Sequence, residues 1–110
     1  MLSLRLYLLQ RFTAIAMAPF VLIHIGVMIY AIQGGLSAGE ILSRTQGSFL
    51  WFAFYGLFVV AVSVHAAIGL RVIAHEWLGV PARLLDGLTW VIALGLLALG
   101  LPAVWGVTFA

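Results

Sequence analysis

The sequence predicts an all-α membrane protein with three transmembrane helices. Its 110 residues are 65% hydrophobic and 7% charged, whereas soluble domains carry about 25% charged residues. The mean hydropathy is +1.25. A small soluble domain could not hide this much apolar surface, so we expect the bilayer to cover it. The few charges include too little basic surface to indicate a nucleic-acid partner. The absence of cysteine excludes disulfides and thiolate-bound metal centres held by this chain.

The chain contains three apolar runs, which we assign to helices at about 12–32, 48–73 and 87–108 of a single domain, 1–110. Each is long enough to cross a hydrocarbon core of roughly 30 Å. In lipid each run must satisfy its own backbone hydrogen bonds, which favours helix. The first run is longer than a typical signal-peptide core, so we expect it to be retained.

The connections differ in charge and in local structure. Ser37 and Glu40 have the spacing of a capping box and predict a short helix in the first connection. Four arginines flank the N-terminus and the second connection, and only Arg44 lies in the first connection. The positive-inside rule therefore predicts a cytoplasmic N-terminus and an external C-terminus.

Two histidines, His24 and His65, interrupt the apolar runs. Ionisable side chains inside a membrane are costly and usually mark function. Gly69 lies one helical turn beyond His65 and would leave room for a flat macrocycle, as a haem ligand needs. The alternative is that each histidine hydrogen-bonds a neighbouring helix. The two lie at different depths, so they would serve two separate haems if both were ligands.

Polar and aromatic residues collect where the spans meet the cytoplasm. Arg11, Arg71 and Glu76 fall at this boundary, with Trp77 beside them. They would set the depth of the helices as snorkelling and interfacial residues. Alternatively, the arginines would bind anionic haem propionates and the cluster would hold a quinone head group.

Two segments resemble the cytochrome b membrane anchors of succinate dehydrogenase and fumarate reductase, in particular the small D-type anchor. Gln10-Arg11-Phe12-Thr13-Ala14-Ile15 is similar to the family's Arg-x-Thr-Ala-Ile entry to helix one. The segment from His65 to Ile73, followed by Glu76-Trp77, is similar to its His-x-x-x-Gly pattern with a following acidic–aromatic pair. The C-terminal Trp105-Gly106-Val107 is similar to the end of the D-type anchor.

The resemblance implies a function and a set of residues. His65 would be an axial ligand of haem b, His24 a ligand of a second haem, and Arg11 and Arg71 partners of haem propionates. Arg11, Glu76 and Trp77 would form the quinone site. Trp77 stands where related anchors have a quinone-binding tyrosine, and its indole can only donate a hydrogen bond.

The resemblance also implies the surroundings of the chain. It would be a non-catalytic electron-transfer subunit in the bacterial inner membrane. A second membrane anchor, an iron–sulfur subunit and a flavoprotein subunit would be its partners, and quinone would be the substrate of the assembly. The alternative function is a haem-free three-helix scaffold or a small transport subunit. The residues do not distinguish ubiquinone from menaquinone, or succinate oxidation from fumarate reduction.

Overall fold

The computed structural model describes residues 3–109 and contains four helices. They are α1 (Leu4–Gly34), α2 (Ala38–Thr45), α3 (Phe49–Leu78) and α4 (Ala82–Thr108). Within the described chain, α1, α3 and α4 are each long and apolar enough to cross a membrane. The predicted fold class, an all-α protein with three membrane-spanning helices, is confirmed.

Each long helix is longer than the apolar run that predicts it. The first helix begins at Leu4, because Ser3 caps it by accepting a hydrogen bond from the backbone N–H of Leu6 at 3.3 Å. The helix α3 continues to Leu78 and stops where Gly79 adopts a left-handed conformation with φ of +70°, which a glycine adopts without steric cost. The extra turns carry polar residues, which hydropathy excludes from the apolar run but which are compatible with helix at the membrane surface.

The short helix α2 closes the end of the bundle opposite the chain's start. Ser37 accepts a hydrogen bond from the backbone N–H of Glu40 at 3.2 Å, so the predicted cap is confirmed. At the other end of α2, the hydroxyl of Thr45 donates to the carbonyl of Val107 on α4 at 2.6 Å. This end of the molecule is therefore held by hydrogen bonds as well as by apolar contact.

The helix α3 lies between α1 and α4 and packs against both. Three of its five buried residues are small, namely Ala61, Ser63 and Ala67, and the other two are Ile68 and Arg71. Phe20 of α1 packs on Phe58 of α3 with ring centroids 5.7 Å apart. The remaining sides of the three long helices expose large apolar residues. Such surface fits lipid or another membrane chain.

Candidate functional site

His65 of α3 is joined to α1 by a hydrogen bond. Its Nδ1 lies 3.2 Å from the hydroxyl oxygen of Thr13. The same hydroxyl donates to the backbone carbonyl of Gln10 at 3.0 Å. Thr13 is buried and His65 is half-buried. The side-chain position of His65 is therefore fixed by a neighbouring helix, at the level of the fourth turn from the C-terminal end of α3.

A groove lies beside the His65 ring. Its volume is about 430 Å³, and five residues of α1 complete its lining: Ala14, Met17, Ala18, Val21 and Leu22. Two of these are alanines one turn apart, and their small side chains leave space beside the His65 ring. The sequence predicts that Gly69 leaves room beside His65, but in the structure Gly69 faces Gln10. A β-carbon at position 69 would lie 3.6 Å from the side-chain amide nitrogen of Gln10. The space next to His65 is thus provided by the alanines of α1, and Gly69 is not among the residues that line it.

Arg11 lies on α1 just before the first lining residue of this groove, Ala14. It precedes Ala14 and Ala18 by three and seven residues, spacings that place all three on one face of a helix. Its guanidinium lies 5.9 Å from the centre of the Tyr7 ring. No ion pair involving Arg11 is present among the residues that the structure describes. Arg11 is therefore a cation available to an anion at the mouth of the groove.

Arg71 points away from the groove beside His65 and towards α4. Its side chain is buried and forms an ion pair with Asp86 of α4, with 2.8 Å between Nη2 and Oδ1. Its other terminal nitrogen lies 3.4 Å from the hydroxyl of Thr89. Six residues separate it from His65, so it projects about 120° away around the α3 axis. Arg71 thereby links α3 to α4, and any further anion would have to compete with Asp86 for it.

A larger cavity lies at the predicted cytoplasmic end, with a volume of about 470 Å³. Its polar side chains are Tyr7, Arg71, His75 and Glu76, and its apolar walls are Leu4, Val72, Ala82 and Leu85. The Nδ1–H of His75 donates to the carbonyl of Val80 at 3.0 Å. The other ring nitrogen of His75 has no hydrogen-bond partner in residues 3–109. The cavity thus combines a phenol, a guanidinium, an imidazole and a carboxylate.

Trp77 does not line this cavity. Its side chain is 81% exposed and it follows Glu76 on a different side of α3. Of the residues predicted for the quinone site, only Glu76 lies in the cavity wall, and Arg11 lies one turn beyond the lining residue Tyr7 on α1. Tyr7 and His75 line the cavity although the sequence analysis did not select them. Their proximity depends on the packing of α1 against α3, which no local pattern in the sequence indicates.

His24 lies in a separate place, nearer to α2. Its ring packs edge-on against Tyr55 at 6.1 Å and Phe58 at 5.5 Å. It lines a cavity of about 350 Å³ to which all four helices contribute. It forms no hydrogen bond with any other described residue. Thr13, the partner of His65, precedes His24 by eleven residues on α1, so the two histidines are about 16 Å apart along the axis.

The described chain holds no cluster of three or more histidine, cysteine, aspartate or glutamate side chains arranged to bind a metal ion. An iron held in a porphyrin has different needs, because its macrocycle supplies four nitrogens and the protein only the axial ligands. One imidazole facing a groove is compatible with that arrangement. The donor set therefore fits a haem and does not fit a bare metal ion.

Comparison with known proteins gives one match. The model of a family described as the succinate dehydrogenase/fumarate reductase transmembrane subunit matches residues 2–102. Searches of curated proteins and of solved structures found no match. The matched range includes the three spanning helices except the last turns of α4, and it covers every site residue described above.

Proposed function

The chain belongs to the succinate dehydrogenase/fumarate reductase transmembrane subunit family, and from this premise we propose that it is a haem b-binding electron-transfer subunit. The membership makes it a membrane subunit of such a complex. The proposal that it binds haem rests on one observation: the His65 imidazole, within a membrane-spanning helix, borders a groove whose lining includes two alanines. Haem would supply the redox chemistry, and the chain would hold it, orient it and exclude water from it.

His65 supplies one axial ligand in this proposal. One of its ring nitrogens is engaged by Thr13, and the other has no hydrogen-bond partner in the described chain. No second histidine lies near enough to complete the coordination of the same iron, because His24 is about 16 Å away along the helix axis. The second ligand would come from another membrane anchor chain, packed over the exposed groove.

Arg11 is the better supported of the two propionate partners. It lies on the helix face that forms the groove wall, and its charge is not neutralised by any ion pair in residues 3–109. Arginine binds carboxylates through two parallel hydrogen bonds. Arg71 is paired with Asp86, so its proposed role at a propionate requires that pair to open. We therefore assign the main propionate contact to Arg11.

The cytoplasmic cavity is our proposed quinone site. A quinone head group has two carbonyl oxygens that accept hydrogen bonds, and the Tyr7 phenol is a donor that lines the cavity. The Nδ1–H of His75 is used by the Val80 carbonyl, so its Nε2 would donate to the quinone only from the imidazolium form. Glu76 at its rim could deliver protons as the quinone is reduced. Trp77, which is mostly exposed, would contribute from the surface only if a partner subunit pressed it inward. Neither ubiquinone nor menaquinone is favoured by these contacts.

A second haem at His24 is the further part of the proposal. An imidazole without a hydrogen bond is expensive inside a membrane, which favours a ligand for it. Its aromatic neighbours Tyr55 and Phe58 fill part of the space around it. A haem there would need these rings to move or a partner chain to widen the cavity.

The remaining partners follow from what this chain lacks. Without cysteine it cannot hold an iron–sulfur cluster through thiolates. We propose that an iron–sulfur subunit docks on the cytoplasmic ends of α1 and α3 and delivers electrons to the quinone cavity, and that a flavoprotein subunit acts on the dicarboxylate. The proposed location is the bacterial inner membrane, and both directions of catalysis use the same parts.

The test is the haem spectrum of the assembled complex. We expect the purified complex to show a reduced-minus-oxidised b-type spectrum that is lost in His65→Ala and kept in His75→Ala, whose histidine lies outside the groove. Haem per complex would fall by half in His24→Ala if there are two haems. A spectrum that survives His65→Ala would overturn the ligand assignment.

A second function is supported by one observation. His65 already hydrogen-bonds a neighbouring helix through Thr13, as polar side chains do when they join membrane helices. A haem-free scaffold or small transport subunit would need no more than this. It predicts a purified complex without the absorption bands of haem b and without quinone-dependent activity.

A further inference from the structure

Thr13 is placed to control the chemistry of His65. Its hydroxyl has one hydrogen and two neighbours, the Gln10 carbonyl at 3.0 Å and the His65 Nδ1 at 3.2 Å. A carbonyl oxygen can only accept a hydrogen bond. The hydroxyl hydrogen is therefore used by Gln10, as is usual for threonine in a helix, and the hydroxyl oxygen has a free lone pair facing the ring.

We infer that Thr13 is a positioning residue that fixes His65 in the tautomer with hydrogen on Nδ1 and a lone pair on Nε2. In this tautomer Nδ1–H donates to the Thr13 hydroxyl, and Nε2 is the nitrogen left to bind iron. Which ring nitrogen ligates a metal is set by the hydrogen bond that the other one makes. The inference rests on the proposed function, because the free Nε2 matters only if His65 is a ligand.

The bond also affects the strength of the ligand. Donation from Nδ1–H increases the electron density on Nε2 and makes it the more basic donor. A more basic axial ligand favours the oxidised, more positively charged iron. Thr13 would therefore lower the midpoint potential of the haem as well as hold the plane of the imidazole ring.

The surroundings leave Thr13 as the only hydrogen-bond partner of His65 in the described chain. His65 has no other hydrogen-bond partner in residues 3–109. The groove beside it is lined by alanine, valine, leucine and methionine, none of which can accept a strong hydrogen bond. Removing the Thr13 hydroxyl would leave Nδ1 without a partner.

The experiment compares Thr13→Val, which has nearly the same shape without the hydroxyl, with Thr13→Ser, which keeps it. In the assembled complex we expect Thr13→Val to raise the haem midpoint potential and to weaken haem retention by about tenfold, in line with other losses of a ligand's hydrogen-bond partner. Thr13→Ser should return both towards the wild-type values. Potentiometric titration of the haem absorbance measures the midpoint potential, and the haem content that remains after dilution measures haem retention.

Thr108→Val is the matched control. Thr108 is fully buried, and its hydroxyl donates to the carbonyl of Val104 at 2.7 Å without contacting a histidine. It thus repeats the substitution and the loss of a hydroxyl-to-carbonyl bond at a distance from His65. The potential in Thr108→Val should equal the wild-type value.

A variant that loses its haem altogether is still informative, because the tautomer can be read without haem. In the haem-free chain, ¹⁵N chemical shifts should show a protonated Nδ1 for His65, and this preference should disappear in Thr13→Val. A wild-type complex without haem would overturn the proposed function. Haem whose potential and retention do not respond to Thr13→Val, or a His65 protonated on Nε2, would overturn the role of Thr13 alone.

Discussion

At the scale of single residues, the site consists of groups that were visible in the sequence and groups that were not. His24 and His65 can be singled out as candidates because each is a lone ionisable residue in an apolar run, which is a local signal. Thr13 is a partner of His65 only because α1 packs against α3 in one register. Thr13 and His65 are 52 residues apart in the sequence, so no local pattern predicts their contact.

The partner of Arg71 illustrates the same limit. The sequence groups Arg71 with Glu76, five residues away on the same helix, and the structure pairs it with Asp86 across the turn between α3 and α4. Glu76 lies about 140° around the α3 axis from Arg71, so helix geometry already disfavours that pair. The contact with Asp86 depends on how α3 packs on α4, which no local pattern in the sequence indicates.

Tyr7 gives the prediction that belongs to this scale. We expect Tyr7→Phe to raise the KM for quinone by up to about tenfold, because one hydrogen bond contributes about 0.5–1.5 kcal/mol and the phenol is a donor in the cavity wall. The measurement is succinate:quinone reductase activity of the assembled complex over a range of quinone concentrations.

Tyr30→Phe is the control for this substitution. Tyr30 lies on the same helix at the opposite end, with the Arg44 guanidinium 5.1 Å from its ring centre, so its loss should leave the KM unchanged. Equal KM values for Tyr7→Phe and the wild type would contradict the placement of the quinone in this cavity.

At the scale of helices, the number and type of elements followed from hydropathy, and their exact packing did not. Runs of at least 20 apolar residues leave little choice but membrane helices, and the Ser37–Glu40 spacing was enough to predict α2. The close approach of α3 and α4 depends on Gly100, which the sequence does not distinguish from the other glycines of α4.

Gly100 provides the prediction at this scale. A β-carbon at position 100 would lie 2.6 Å from Cγ1 of Val59 on α3, and valine has little freedom to rotate away. We expect Gly100→Ala to separate the two helices and to lower stability by about 1–3 kcal/mol. Thermal unfolding in detergent measures this as a lower melting temperature.

Gly95→Ala separates steric strain from helix propensity. Both changes gain about 1 kcal/mol of intrinsic helix preference, but a β-carbon at position 95 meets no atom within 4 Å. Gly95→Ala should therefore be neutral or stabilising. If the two variants melt at the same temperature, close packing at Gly100 is not a source of stability.

At the scale of the whole molecule, α3 packs against α1 and α4, and all three long helices leave sides exposed. The bare sides carry large apolar residues, as lipid and partner helices require. The groove beside His65 opens on such a side of α1. The structure is therefore that of a part of an assembly, and both the haem and the quinone proposals require its cytoplasmic end to face the soluble subunits.

The orientation in the membrane is the prediction on which those proposals jointly depend. The chain has no cysteine, so single cysteines can report it without background. Ser43→Cys lies on exposed α2, and Ala82→Cys lies at the exposed start of α4. These positions are at opposite ends of the spanning helices, and four of the five arginines, Arg5, Arg11, Arg71 and Arg83, lie towards the end that holds Ala82.

With the chain expressed without soluble subunits, a membrane-impermeant maleimide applied to cells with a permeabilised outer membrane should label Ser43→Cys. It should label Ala82→Cys only after the inner membrane is broken. The reverse pattern would place the cavity of Tyr7, His75 and Glu76 on the outer side, where a cytoplasmic iron–sulfur subunit could not reach it, and the proposed electron path would then be wrong whatever the haem content.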